Sequence, residues 1–270
     1  MNITFIGGGN MASALIGGLL QQGYSHTQIR VVEINAEGRA KIKYAFNVEA
    51  VADLAEGVTD SDIILLAVKP QQLSGVAREL AALLGNHLVI SIAAGIRATD
   101  ICRWMGGHER VVRAMPNTPA LIRAAVTGLY ALPGVSTEER HNAETVLAAV
   151  GSVLWFERED MLDAVTALAG SGPAYIFYFI EAMQKAGEEF GLTATQARVL
   201  SLETFLGAAR LASQCDENVD VLRARVTSQG GTTERAIQSL EQDGVKNAII
   251  RAIHVASQRS GELGDELGRT

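Results

Sequence analysis

A glycine-rich turn near the start of the chain has the residue types that a dinucleotide phosphate requires. Gly7, Gly9 and Ala12 follow the apolar run Ile3–Ile6 with the spacing G-x-G-x-x-A, and an apolar helical pattern comes after them. Gly7 permits a tight turn, Gly9 lets a pyrophosphate approach the backbone, and Ala12 lets the helix pack closely on the strand. The N–H groups that open the helix can then bind phosphate. The alternative is a glycine turn that binds no ligand.

A second cluster of glycines and hydroxyl residues, at positions 226–233, leads directly into another predicted helix. Free N–H groups at such a start form an anion site of the size of a carboxylate. An N-cap needs only one hydroxyl, which does not account for Ser228, Thr232 and Thr233 together with the pair Gly230–Gly231. The cluster therefore predicts a site for a substrate carboxylate, with helix capping alone as the alternative.

Three further segments end predicted strands and turn sharply: Ala67–Pro70, Ser91–Ile96 and Arg113–Pro119. In open α/β sheets, ligands bind beyond the carboxyl ends of the strands. Lys69 is therefore expected to reach the cofactor crevice, and the small residues 93–95 leave room for a flat ring. Three such loops at one edge of a sheet favour a cofactor site, although each alone is equally typical of an ordinary loop.

The first half of the chain alternates apolar runs with helical stretches. The run 62–68 shows no alternation of polar and apolar residues, which is typical of a strand covered on both faces. This order predicts an α/β fold with a doubly wound parallel sheet. The predicted strands are Ile3–Ile6, Gln28–Glu33, Asp62–Val68, His87–Ala93, Arg110–Met115, Val126–Tyr130 and Ser152–Phe156, and a helix over Thr137–Val150 precedes the last of them.

The pattern changes near residues 157–160, which predicts a dinucleotide-binding domain over 1–158 and a helical domain over 159–270. Residues 173–180 and much of 199–211 are apolar on nearly every helical face, so they must be buried all round. A helical domain of about 110 residues has difficulty in burying that many such surfaces alone, so we expect a second subunit; the alternative is one well-filled core. The predicted helices are Asp160–Ala169, Pro173–Phe190, Thr193–Ser213, Thr232–Gln242 and Val245–Ser260.

Composition narrows the classes of partner. The formal net charge of −7 argues against nucleic acid or an anionic membrane, and no apolar run approaches the roughly 18 residues of a membrane span. Cys102 and Cys215 are typical of free thiols in a reducing cytoplasm, and the start of the chain lacks a basic signal-peptide region. No triad, paired carboxylates or metal-ligand spacing is present, so we expect no metal and chemistry supplied by a bound cofactor.

These motifs, in this order, resemble the Δ1-pyrroline-5-carboxylate reductase family. The resemblance implies reduction of a cyclic imine carboxylate to L-proline by hydride from NAD(P)H, the last step of proline biosynthesis. It also implies a Rossmann-type domain and an all-helical dimerisation domain, and it leaves open whether the homodimers assemble further. The matching stretches span almost the whole chain: Phe5–Met11, Ala67–Pro70, Ser91–Gly95, Arg113–Pro119, Gly170–Tyr175 and Val226–Thr233.

The motifs and the resemblance together assign roles to individual residues. The substrate carboxylate is assigned to the second glycine cluster, with the Thr233 hydroxyl near the ring nitrogen as the catalytic group; its members are Ser228, Gly230, Gly231, Thr232 and Thr233. The cofactor is assigned to the glycine turn and the strand ends, with these members: Ile6, Gly7, Gly8, Gly9, Asn10, Met11, Glu33, Asn35, Arg39, Ala67, Val68, Lys69, Pro70, Ala93, Ala94, Gly95 and Asn117.

One residue of the carboxylate loop departs from the family pattern. Gln229 stands where the family usually has Pro, which favours a more mobile loop.

The choice between NADPH and NADH depends on residues after the second predicted strand. Glu33 lies about 20 residues past the fingerprint, where an acid normally accepts the ribose hydroxyls of NAD and repels the 2′-phosphate of NADP. However, Asn35 follows, Arg39 is placed to cover that phosphate, and the family more often uses NADPH. We therefore expect NADPH to be preferred, with NADH as the alternative.

Two other interpretations of the sequence are alternatives to a reductase. The β-hydroxyacid dehydrogenases share the two-domain layout but carry a Lys, and an Asn one turn later, where this chain has Ile176 and Ile180. Neither isoleucine can donate a proton. The second reading is a sensor that binds NAD(P) without turnover, against which the intact carboxylate loop at 230–233 argues.

Overall fold

The protein, represented by a computed structural model that describes residues 1–269, divides into two compact units. The first comprises Met1–Ser171 and the described residues from Ala256 onward, and the second comprises Gly172–Val255. The domain boundary at residues 158 and 159 stays a prediction. The last helix contributes residues to both units.

The first unit is built on a sheet of eight strands in the order β3-β2-β1-β4-β5-β6-β7-β8. The strand order reverses between β1 and β4, which is where a doubly wound sheet opens a crevice for a ligand. The strands are β1 (Ile3–Ile6), β2 (Ile29–Val32), β3 (Glu49–Val51), β4 (Ile63–Leu66), β5 (Leu88–Ser91), β6 (Val111–Met115), β7 (Ala125–Ala131) and β8 (Gly151–Trp155).

The predicted α/β class is confirmed, but the sheet is not parallel throughout as predicted. Strands β1 to β6 are mutually parallel, whereas β7 runs antiparallel to β6 and β8 runs parallel to β7. The reason is the connection from Met115 to Ala125, which holds only a short 3-10 turn at Thr118–Ile122. A parallel return needs a crossover of about a dozen residues or more. The short strand β3 was not predicted.

Helices cover both faces of the sheet and create two apolar cores. Phe5 and Leu15 lie in the core on one face, and Ile64 and Leu73 lie in the core on the other. The helices of this unit are α1 (Asn10–Gln21), α2 (Ala36–Phe46), α3 (Leu54–Val58), α4 (Pro70–Ala81), α5 (Ala98–Trp104), α6 (Thr137–Ala148) and α7 (Met161–Val165), and a π-helical turn follows at Thr166–Gly170.

Every regular element among the described residues of the second unit is a helix. Helices α8 and α9 form a hairpin in which Gly187 faces Ala197 and Gly191 turns the chain with φ of 91°. The short α10 was not predicted. The helices are α8 (Gly172–Glu189), α9 (Ala194–Gln214), α10 (Val219–Arg225) and α11 (Thr232–Gln242), and α12 (Val245–Gly268) begins here. Within residues 1–269, no helix has both the length and the apolar character needed to cross a bilayer.

Candidate nucleotide and substrate sites

A cleft of about 480 Å³ opens at the carboxyl ends of β1, β2 and β4, where the strand order reverses. It is lined by eight of the residues predicted to bind the cofactor: Ile6, Gly7, Gly8, Gly9, Glu33, Ala67, Val68 and Lys69. The fold therefore brings together the glycine turn, the end of β2 and the turn after β4. Its lining also includes Ile34, Asp53 and Gln72, which were not predicted.

The two fingerprint glycines have different physical reasons to be glycine. Gly7 has φ of 101°, and a Cβ there would lie 2.8 Å from the carbonyl oxygen of Ala67. Gly9 has an ordinary extended conformation, and a Cβ there would meet no atom within 4 Å. Gly9 is also the N-cap of α1 and offers no side chain to cap it. The space beside Gly9 and the uncapped N–H groups of α1 fit a pyrophosphate.

Glu33 lines the cleft, and Arg39, which is not among the lining residues, is bonded to the backbone of the same segment. The Glu33 carboxylate accepts hydrogen bonds from the N–H of Gly8 at 3.0 Å and of Asn35 at 2.9 Å. Arg39 Nη1 donates to the carbonyl oxygens of Glu33 at 2.8 Å and Ile34 at 2.9 Å. The carboxylate and the guanidinium are thus held by the same short segment.

The two residues after Glu33 have features that the sequence did not reveal: the exposure of Ile34 and the capping role of Asn35. Ile34 is 79% exposed and presents an apolar surface to the cleft. The available signal was an apolar residue directly after Glu33, the acid that follows β2. The Asn35 Oδ1 accepts from the N–H groups of Glu37 and Gly38 at 2.8 and 3.1 Å. Its side chain is the N-cap of α2, so its cofactor role stays a prediction.

The remaining predicted cofactor residues lie outside the lining of the cleft. Asn10 and Met11 open α1, Pro70 is the first residue of α4, and residues 93–95 form the loop from β5 to α5. Asn117 is buried, and its Nδ2 donates to Ala169 at 3.1 Å while its Oδ1 accepts from Val126 at 3.0 Å. These bonds tie the π-helical turn to β7, which gives Asn117 a structural role whatever it contacts in a complex.

The predicted carboxylate loop lies in the second unit at the start of α11. Gly230 has φ of 73°, and the N–H of Gly231 donates to the carbonyl of Ser228 at 3.0 Å. The N-cap of α11 is Gly231, which has no side chain to cap the first turn. This turn holds Thr232 and the half-buried Thr233. The loop therefore presents uncapped N–H groups beside two hydroxyls, a suitable set of donors for a carboxylate.

A carboxylate of the chain itself already binds this loop. Glu234 Oε2 accepts from the N–H of Gly230 at 2.8 Å. The sequence signal was an acid three residues after the N-cap, the position from which capping boxes reach back. Nearby, the Glu217 carboxylate forms a two-pronged ion pair with the Arg225 guanidinium, one contact being 2.6 Å. Glu217 is therefore occupied in tying α10 to the segment before it.

Comparisons with known proteins decide the family. A pyrroline-5-carboxylate reductase from Pseudomonas aeruginosa is 47% identical over 268 residues, which cover 99% of this chain and 98% of that protein. The chain belongs to the pyrroline-5-carboxylate reductases. Residues 159–263 match the family model described as pyrroline-5-carboxylate reductase dimerisation, and residues 2–95 match the model described as NADP oxidoreductase, coenzyme F420-dependent.

Solved structures of pyrroline-5-carboxylate reductases agree over nearly the whole chain. The structure from Coxiella burnetii has a TM-score of 0.92 and 43% identity, and it covers 97% of this chain and 98% of that one. The Plasmodium falciparum structure with NADP bound has a TM-score of 0.88 and 26% identity, with 98% of each chain covered. The chain is therefore an oxidoreductase whose first unit binds a pyridine nucleotide.

Membership of the pyrroline-5-carboxylate reductases argues against the β-hydroxyacid dehydrogenase alternative. On α8, Ile180 is buried and Ile176 is 45% exposed, and both side chains are purely apolar. Among residues 1–269, no cluster of three His, Cys, Asp or Glu side chains could hold a metal ion. Neither isoleucine can donate the proton that the dehydrogenase alternative requires.

Proposed function

We propose that this chain reduces Δ1-pyrroline-5-carboxylate to L-proline, with the nucleotide in the cleft of the first unit and the substrate carboxylate at the loop 228–233. The observation that carries the proposal is the uncapped start of α11, with Gly230, Gly231, Thr232 and Thr233 in sequence, in a member of this family. A protein that only senses NAD(P) has no use for such a carboxylate site.

The nicotinamide supplies the hydride when bound, so the chain itself has to bind the nucleotide and the imine and orient them. The N–H groups of Thr232 and Thr233 lie in the first turn of α11 and are placed to hold a carboxylate, assisted by the helix dipole. Holding the carboxylate fixes the substrate ring beside it. The Thr233 hydroxyl is then within reach of the ring nitrogen, which it orients by a hydrogen bond. A protonated imine needs no stronger acid.

The direct test is to mix the purified protein with Δ1-pyrroline-5-carboxylate and NADPH, then NADH, and follow nucleotide absorbance while L-proline is identified by chromatography. We expect oxidation that depends on the imine and yields one proline per nucleotide. A folded protein that binds the nucleotide but never oxidises it in the presence of the imine would overturn the proposal and favour the sensor.

Nucleotide preference is expected to depend on the charged side chains of Glu33 and Arg39. We propose that NADPH is preferred, because Arg39 is fixed beside Glu33 by two carbonyl groups and supplies a positive charge for the 2′-phosphate. Glu33→Gln keeps an oxygen acceptor but removes the negative charge, so it should raise the NADPH-to-NADH ratio of kcat/KM about tenfold. Arg39→Ala should lower that ratio about tenfold. If both variants keep the wild-type ratio, these residues do not set the preference.

The Glu234 carboxylate is expected to compete with the substrate carboxylate for the same loop. Glu234→Gln should lower KM for the imine about threefold, because a like charge leaves the anion site, and should change kcat less than about twofold. The hydrogen bond from the Gly230 N–H should survive, because an amide oxygen can accept it in the same way: the amide oxygen of Gln196 accepts an N–H from Thr193 at 2.9 Å in the capping box of α9. The matched control is Glu139→Gln in the capping box of α6, which should leave KM unchanged. A higher KM in Glu234→Gln contradicts the competition.

We also propose that two copies of the chain associate through the second unit. Large apolar side chains are exposed there, among them Phe177 on α8 at 66% and Leu200 on α9 at 56%, within the stretch that matches the dimerisation model. Burying one such side chain contributes about 2 kcal/mol. The double variant Phe177→Glu, Leu200→Glu should therefore sediment as a single chain. Tyr44→Glu, a control at a more exposed aromatic residue of the first unit (96%), should keep the wild-type mass; equal masses for all three proteins would exclude this interface.

We further propose that the protein works in the cytoplasm. Its two cysteines, Cys102 and Cys215, are free and partly buried, which is typical of proteins kept in a reducing compartment. Fractionation of the source cells with an antibody to the chain would test this assignment.

A further inference from the structure

The last turns of α12 pack against the loop between β5 and α5. Ser260, Gly264 and Gly268 are buried at intervals of four residues, so they share one face of the helix. A Cβ on Gly264 would lie 3.3 Å from the carbonyl oxygen of Gly95. In turn, Gly95 has φ of 75°, and a Cβ there would lie 3.3 Å from Cβ of Leu263. The helix and the loop therefore approach each other closely enough that neither can gain a side chain without moving.

Charged groups fix the same contact on both sides. Arg97 at the end of the loop pairs with Asp265 at 2.6 Å. The Glu159 carboxylate accepts from the N–H of Ala98 at 2.6 Å and from the buried Arg113 at 3.1 Å. Because Arg113 is 3% exposed, its buried charge needs an acidic partner, and the ion pair with Glu159 supplies one. The loop is thus held to α12 at Gly95 and Arg97, and its end at Ala98 is linked through Glu159 to Arg113 of β6.

The second link runs from α12 back to the same buried arginine. Ser260 Oγ donates to Asp163 Oδ1 at 2.7 Å, and that carboxylate lies 3.9 Å from Arg113. The end of α12 is therefore fixed by a hydrogen bond at Ser260 and by packing at Gly264.

The loop lies where the far end of a dinucleotide must go. The cleft over β1, β2 and β4 is the place proposed above for the adenosine and the pyrophosphate, and β5 is the next strand beyond β4. The loop that follows β5 leaves the sheet at the same carboxyl edge as the cleft, since β4 and β5 are parallel. A nucleotide that extends from the cleft across β4 brings its nicotinamide to residues 93–95.

We propose that Gly264 is a positioning residue for the nicotinamide half of the nucleotide: through its contact with Gly95, the end of α12 sets the position of the β5–α5 loop. This inference rests on the proposed function, because it requires that the first unit binds NAD(P)H. It assigns a nucleotide-binding role to the last described turns of the chain, which follow the helical unit in sequence. Gly264 acts only through its contact with the loop.

The test compares two glycine-to-alanine variants of the same helix. Gly264→Ala forces the Gly95 carbonyl to move, whereas in Gly261→Ala the nearest atom to the new Cβ is Asp163 Oδ2 at an ordinary 3.6 Å. Both changes add the same methyl group and the same gain in helix propensity. Binding is measured by calorimetry for NADPH and for its fragment 2′-phospho-ADP-ribose, which lacks the nicotinamide.

We expect Gly264→Ala to weaken NADPH about fivefold with the affinity for the fragment unchanged, and Gly261→Ala to change neither. The inference is overturned if Gly264→Ala leaves NADPH affinity unchanged, if it weakens the fragment equally, or if Gly261→Ala has the same effect. Failure of the proposed function gives a different result, because the wild-type protein would then not bind NADPH or would not oxidise it with the imine. Retained fragment binding also shows that the variant is folded.

Discussion

Gly9→Val should raise the dissociation constant for NADPH at least about a hundredfold while the melting temperature changes by less than about 2 °C. In the protein alone, a Cβ at Gly9 meets no atom within 4 Å, and the backbone at this residue has φ of −71°, which valine adopts without strain. The new side chain therefore costs the fold little. It occupies the space beside the N-terminus of α1 that the pyrophosphate needs. Fluorescence titration with NADPH and a thermal melt measure the two quantities.

Gly85→Val is the matched control for this experiment. Gly85 also lies in an exposed turn, and a Cβ there meets no atom within 4 Å, but the residue is remote from the cleft lining. This control should bind NADPH as the wild-type protein does. Tight NADPH binding by Gly9→Val would show that the phosphates do not lie at the start of α1. By contrast, a valine at Gly7 is expected to unfold the turn, because Gly7 has φ of 101° and its Cβ would lie 2.8 Å from Ala67.

Thr233→Ala should lower kcat for the imine about a hundredfold, because a single well-placed hydrogen bond at a reacting centre is worth about that factor. Affinity for NADPH and the melting temperature should stay at their wild-type values, since Thr233 is a half-buried residue on the first turn of α11 in the second unit. Steady-state kinetics with varied imine separate kcat from KM.

The conservative variant Thr233→Ser keeps the hydroxyl and should recover most of the lost turnover. Thr232→Ala changes the neighbouring hydroxyl, which is exposed, and should affect KM more than kcat. If Thr233→Ala turns over at the wild-type rate, the hydroxyl does not act on the ring nitrogen. A loss that serine does not rescue would point to the β-branched shape of threonine instead of its hydroxyl.

Local chemistry made the nucleotide cleft predictable from the sequence. The requirement for glycine at Gly7 and for open space at Gly9 comes from the backbone itself, so the spacing alone indicates the turn. The ends of β1 and β4 were predicted together because parallel strands present their carboxyl ends at one edge. The same reasoning missed the direction of β7. The predicted ends at Met115 and Val126 lie within one residue of the observed ones, but the shortness of this connection, which excludes a parallel return, was not weighed against the alternation of strands and helices.

Contacts between distant residues were not predictable, because no periodicity encodes them. Nothing in the spacing places Glu33 against the N–H of Gly8, or Asn117 against Ala169. The helix predicted to end at Ser260 continues to Gly268, and its last turns pack on the loop at Gly95. Gly264 weakens the helical pattern in the sequence. In the structure, its lack of a side chain allows α12 to approach the loop closely.

Direct hydride transfer is tested with NADPH that carries deuterium at the transferable position of the nicotinamide and with the imine as acceptor. We expect L-proline that is one mass unit heavier, with the deuterium on the carbon that formed the C=N bond, because hydride passes directly between two molecules held by this chain. Oxidised nucleotide accompanied by unlabelled proline, or by no proline, would show that the chain does not carry out this reduction.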